Sequence, residues 1–190
     1  MRTALVAVLV AIPWLAAANP VTVGFSVGAT VTKSDAAAGA DSNDTLGLFG
    51  RLGFNQWFSG QLEIEKIQND ASTNVRAINF AGVLDLMQHS SVVPMVVAGV
   101  GFDHASSDFQ DISAHHFEAG LGVELRTSGG FTLGLDVRIG DREIDDTSSK
   151  GVPVGVSGGS GLDRTAPLPP ASDIKDGQYR SARITLGIRF

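Results

Sequence analysis

Apolar and polar side chains alternate along most of this chain. From residue 21 onward, runs with an apolar residue at every second position recur eight times, at 21–33, 45–54, 57–66, 75–86, 92–102, 115–126, 131–140 and 179–190. In the first run Val21, Val23, Phe25, Val27, Ala29 and Val31 share one phase. In the fifth it is Pro94, Val96, Ala98, Val100 and Phe102. A period of two marks strands, whereas a helix would repeat near 3.6. Each run is about the 9–11 residues that a tilted strand needs to cross a bilayer. The connections alternate in length. Segments 34–44, 67–74, 103–114 and 141–178 are long, polar and rich in Asp, Ser and Gly, whereas those near 55–56, 87–91 and 127–130 are short. Outer-membrane barrels have this asymmetry, with short periplasmic turns and longer extracellular loops. The pattern predicts an all-β fold: a closed, eight-stranded, antiparallel, up-and-down transmembrane β-barrel. Its last strand pairs with its first and leaves no edge.

Alternation alone does not say which phase faces lipid, because a soluble barrel shows the same binary pattern turned inside out. Three features assign it. The polar phase is rich in glycine (Gly24, Gly28, Gly47, Gly99, Gly120 among others), which suits a crowded interior better than a solvated surface. Its charges are Arg, Glu and Asp without Lys, as a confined space with paired ions favours. Bulky aromatics Phe54, Trp57, Phe58, Phe131 and Phe190 gather at the short-turn end, as half of an interfacial girdle. The polar phase is therefore expected inside and the apolar phase in lipid.

Composition narrows the setting. The chain has 190 residues, no cysteine and a net charge of -6, so disulfides and thiolate metal sites are excluded and a nucleic-acid partner is disfavoured. Residues 1–18 read as a cleaved signal peptide: Arg2 precedes an apolar stretch that ends in the small residues Ala16, Ala17 and Ala18. Residues 19–190 then form the exported barrel domain, with 141–178 as its longest surface loop. That loop is too rich in Gly, Pro and Ser to make a core of its own.

The stretches "LGFNQWFSGQLEIE", "PMVVAGVGF" and "FEAGLGVELR" resemble the OmpA-like eight-stranded outer-membrane barrel family. The closing "RITLGIRF" is similar to that class's carboxy-terminal signature, with Ile184, Leu186, Ile188 and Phe190 alternating. The resemblance implies the bacterial outer membrane as location and the barrel-assembly machinery as the reader of this signature.

The candidate chemistry lies in three places. The inward phase collects Arg51, Glu63, Glu65, Asn79, Glu118, Glu124, Arg126, Asp136, Arg138, Arg183 and Arg189, with Asp85. Threading the strands places Glu63, Glu65, Glu118, Asp136, Arg138 and Arg183 in the middle and outer half, and Arg51, Asp85, Glu124, Arg126 and Arg189 toward the periplasm. Such a lumen is either a salt-bridged plug or a narrow ion path, and the small bore of eight strands favours the plug. On the lipid phase, Lys33, Lys66, Arg76 and Arg180 sit beside long loops, where they can reach lipopolysaccharide phosphates.

Third, His104 and Ser106 share a face above Phe102 and could form an acyl-transfer dyad or triad with a carboxylate such as Asp103 or Asp108. The pair resembles the His-x-Ser element of lipid A deacylases, but no Asn follows the Ser and it falls earlier in the chain. His115 and His116 point to opposite faces. The acidic runs at Asp103, Asp108 and Asp111 and at Asp141, Glu143, Asp145 and Asp146 lack the spacing of a dedicated Ca²⁺ loop, so no metal or other cofactor is expected. The sequence predicts a monomeric, non-enzymatic scaffold that displays loops for adhesion or recognition, with a low-conductance pore and an outer-leaflet lipid hydrolase as alternatives.

Overall fold

The computed structural model describes residues 20–33, 40–68, 74–87, 90–106, 110–149 and 177–190. The proposed signal peptide, Asp108 and the greater part of 141–178 lie outside them. Eight strands follow in chain order: β1 (Val21–Lys33), β2 (Ala40–Gly53), β3 (Phe58–Gln68), β4 (Asn74–Asp85), β5 (Val92–Ser106), β6 (Gln110–Arg126), β7 (Phe131–Ser149) and β8 (Gly177–Arg189). Each pairs antiparallel with its chain neighbour, and β1 pairs with β8, so the barrel is closed. The closing bond reaches the last residue, where the Phe190 N–H donates to the Val21 carbonyl at 2.8 Å.

The registers set the stagger. One row of partners runs from Val21 through Leu52, Gly60, Gly82, Ala98, Ala119, Ile139 and Arg180. It returns to β1 at Val31, ten residues (21 to 31) further along. With strands about 4.8 Å apart and about 3.3 Å per residue, that stagger tilts them by about 41°. The outward apolar run on β5 from Val92 to Phe102 then rises about 25 Å along the axis, the height of the apolar band of such barrels.

The turns follow from local chemistry. At the β2–β3 turn the Asn55 side-chain oxygen accepts from the backbone N–H groups of Trp57 and Phe58, each at 2.8 Å. At the β6–β7 turn Gly130 takes φ +83°, which only glycine adopts without strain. Phe54, Trp57, Phe58, Phe131 and Phe190 are all exposed at this end, as the girdle requires.

The outward phase is as read from the sequence: Phe25, Leu48, Ile64, Phe80, Val100, Leu121, Leu135 and Leu186 are exposed. Two expectations need correction. The strands run past the expected loop boundaries, β5 to Ser106, β6 from Gln110 and β7 to Ser149, so the segments 103–114 and 141–178 are largely or partly strand. The reason is that the solvent changes from lipid to water above the band, and the code inverts there. Ile67, Val75, Ala105, Ile112 and Ala114 turn inward and pack into a small core, while His104 and Lys66 face out. The second correction concerns the interior, which is not uniformly polar. Ala81, Val83, Met95 and Val97 form a buried apolar cluster on the inner side of β4 and β5, and Val93 and Phe49 also point inward.

Candidate functional site in the barrel lumen

Same-face pairs two residues apart build the lumen: Glu63 and Glu65 on β3, Asp136 and Arg138 on β7, Glu124 and Arg126 on β6. Alternation aims both members inward. Toward the periplasm, the Arg51 Nη1 group donates to Glu124 Oε2 at 2.7 Å and its Nε to Gln61 at 2.9 Å. Arg126 binds Glu124 at 2.6 Å and Asp85 at 2.7 Å. Arg51 also lies over the Phe49 ring, 5.9 Å from its centroid. Arg189, expected in this group, makes no ion pair among the described residues, because it stands part-exposed at the mouth.

A central group lies above it. Arg183 Nη1 donates to Glu63 at 2.6 Å and to Glu65 at 2.7 Å, and its Nη2 to Asp136 at 3.2 Å. Arg138 donates to Asp136 at 2.7 Å and forms a short contact with Glu118. The Ser26 hydroxyl donates to Glu63 at 2.6 Å, and the Tyr179 hydroxyl to Glu118 at 3.0 Å. Asn79 joins through its amide N–H, which donates to Glu65 at 3.3 Å. The apolar cluster of β4 and β5 fills the space between the two groups on that side.

Near the outer mouth is a third group that the sequence reading missed. Asp103 faces inward, where His116 Nδ1 lies 3.0 Å and Arg142 Nε 2.7 Å from its Oδ2. The Arg142 guanidinium sits 5.2 Å from the Tyr179 ring centroid. Asp103 and Arg142 fall in segments expected as loops, since the apolar alternation ends at Phe102 and Gly140. Continuing the phase two residues further would have found Asp103 and Arg142.

These ions are buried and bonded on several sides. Opening a path through them breaks pairs in a low-dielectric space, where an unpaired charge is costly.

The outer face carries the remaining candidates. Lys66 and Arg76 are exposed and face each other across β3 and β4, and His104 continues their row on β5. Arg180 is exposed between Val31 and Ile139. The Lys33 side chain lies outside the described residues. Asp44 and Asp141 are exposed near this level, so the positive face is concentrated on β3 and β4. His104 and Ser106 do share the outward face, and His104 Nδ1 lies 3.4 Å from the Ser113 hydroxyl. Asp103 cannot complete a triad with them, because it points into the lumen. His115 and His116 point to opposite faces as expected, His115 outward with Asp145 at 2.6 Å.

The family described as "Outer membrane protein beta-barrel domain" matches residues 3–159. No curated protein matches the sequence. Among solved structures, Neisserial surface protein A is similar at a TM-score of 0.60 and 13% identity, over 90% of this chain and 95% of that one. The N-terminal β-barrel domain of Pseudomonas aeruginosa OprF gives 0.53 and 12%, over 89% and 97%. Pseudomonas aeruginosa OprG gives 0.52 and 13%, over 90% and 96%. At these identities the likeness is one of fold.

Proposed function

The chain belongs to the outer membrane β-barrel family, and on that premise we propose that it is a closed scaffold whose activity resides in its extracellular loops, displayed for adhesion or recognition. The supporting observation is the lumen, occupied from the periplasmic to the outer end by paired charges and an apolar cluster. A barrel built to conduct would spend fewer buried guanidiniums on closing its own bore. We assign this role chiefly to the segment 141–178, the longest connection in the sequence, of which residues 150–176 lie outside the described residues. The exposed basic row of Lys66, Arg76 and His104 suits lipopolysaccharide phosphates, and Lys33 on β1 and Arg180 on β8 extend that role to another part of the rim. The outward Ile184, Leu186, Ile188 and Phe190 serve as the signal to the barrel-assembly machinery. In this reading the protein acts as a monomer and not as an enzyme; of the two carboxylates that a lipid hydrolase could draw on, Asp103 points into the lumen and Asp108 lies outside the described residues.

Two measurements test this. In planar bilayers the wild-type protein shows no stable current steps, whereas regular steps that vanish in neither Arg138→Ala nor Glu63→Ala would make it a pore. Cells displaying the protein adhere to immobilised matrix proteins or glycans. Replacing 150–176 by a short Gly/Ser linker abolishes adherence while the barrel still folds. Unchanged adherence would remove the display role from this loop.

A further inference from the structure

We propose that a dent in the lipid-facing wall of β2, β3 and β4 holds one acyl chain of a phospholipid of the periplasmic leaflet. The dent has a volume of about 600 Å³, within the range of small-molecule pockets. Gly50, Gly60 and Gly82 lie in its floor, and Phe54, Phe58 and Phe80 stand around it. Arg51 and Gln61 also line it, but their polar ends are bonded inside the lumen, to Glu124 and Glu63. The surface offered to lipid is therefore apolar. Gly60 pairs with Leu52 and Gly82, and Gly50 pairs with Val23 and Leu62. With the stagger of this barrel the three glycines come within about 3 Å of one depth along the axis. Outward positions in the band otherwise carry mostly large side chains, so three glycines at one level on adjacent strands leave a hollow.

The protein's own side chains fill only part of it. A Cβ at Gly60 would come 3.0 Å from the Phe54 ring, and one at Gly82 would come 3.0 Å from the Phe58 ring. The two rings stack at 5.7 Å and rise from the girdle over these glycines as a lower wall. Above Gly50 the space is open, with nothing within 4 Å of a Cβ built there. The dent is continuous with the lipid-facing band, since Leu48, Ile64 and Phe80 around it are exposed. Hydrocarbon is the solvent at that depth. A chain on the flat band touches protein on one side, whereas in the dent it meets floor and rings together and gains more dispersion contacts. The rings also set the leaflet, because Phe54 and Phe58 belong to the periplasmic girdle, where the exposed Trp57 meets the headgroups. A second barrel fits less well. Its wall is convex, and the rings over Gly60 and Gly82 block the close backbone approach that small residues allow between membrane segments.

The test uses the full chain purified from outer membranes in a mild detergent and weighed by native mass spectrometry. Wild-type protein is expected to retain one phospholipid per barrel. Gly50→Leu fills the dent from the position with free space, so it keeps the fast-migrating unboiled band and loses the bound lipid. Leu135→Phe, on the outward face of β7, retains the lipid as the wild type does. Wild-type crystals grown with a phospholipid brominated along its chains give a bromine anomalous peak over Gly50, a readout that stands even where a variant fails to fold. Equal retention by wild type and Gly50→Leu overturns the proposal, as does absence of the bromine peak. Retention of lipid A, or of a second copy of this chain, in place of the phospholipid overturns it as well.

Discussion

Arg183 ties distant parts of the lumen together, touching carboxylates from β3 and β7 from its own place on β8. Arg183→Met keeps the bulk and removes the charge, leaving Glu63, Glu65 and Asp136 short of a partner. The expected cost is about 3–5 kcal/mol in the free energy of urea unfolding in detergent. Glu63→Gln is milder, about 1–3 kcal/mol, because its amide oxygen still accepts from Ser26. If the two variants cost the same, Arg183 is not the hub that its contacts suggest. Substitution on the other face asks a different question. Leu121 is 67% exposed near mid-band, so Leu121→Arg is expected to cost about 2–4 kcal/mol in lipid, and Val31→Arg near the outer boundary about 0–1 kcal/mol. A water-facing surface would tolerate both alike, and equal small effects would contradict the assignment of lipid to the apolar phase.

Between strands, the seam of β1 and β8 is a place of close approach. Gly24 stands opposite Gly187 on one side and Phe49 on the other. A Cβ at Gly24 would meet the Leu186 carbonyl, the Gly187 backbone and the Phe49 ring. Gly24→Leu is therefore expected to block closure, seen as loss of the fast-migrating unboiled band on a gel. A normal band would show that β1 can shift to accommodate the side chain. The eight strands, their outward phase and the central charge group were legible in the sequence, because lipid enforces a strict alternation where it touches the barrel. The interior enforces no such rule. Volume and pairing govern there, so Phe49, Val83, Met95 and Val97 can stand beside Arg51 and Glu63 without breaking any pattern visible from outside. At the outer end the solvent on the exterior changes to water, and Asp103 and Arg142 lie beyond the point where the apolar phase stops being informative.

Taken whole, the barrel keeps its ion pairs away from solvent, which sets how it answers to salt. Raising choline chloride from 0.1 to 1 M is expected to change the unfolding free energy by less than about 1 kcal/mol, because buried pairs are screened far less than surface ones. A large loss would mean that water reaches the lumen. The ten-residue stagger carries a further consequence for assembly. A strand that slips by two residues keeps every apolar side chain in lipid and every inward residue inside, so hydrophobicity cannot detect the error. The slip does change the bore, by roughly 1.4 Å in diameter for a stagger of eight or twelve. It also displaces each inward charge on that strand from its partner. Pairs made at 2.6–2.7 Å, such as Arg183 with Glu63 and Glu65, do not survive that displacement. The network in the lumen thus acts as a proofreader, rejecting registers that the membrane itself would accept.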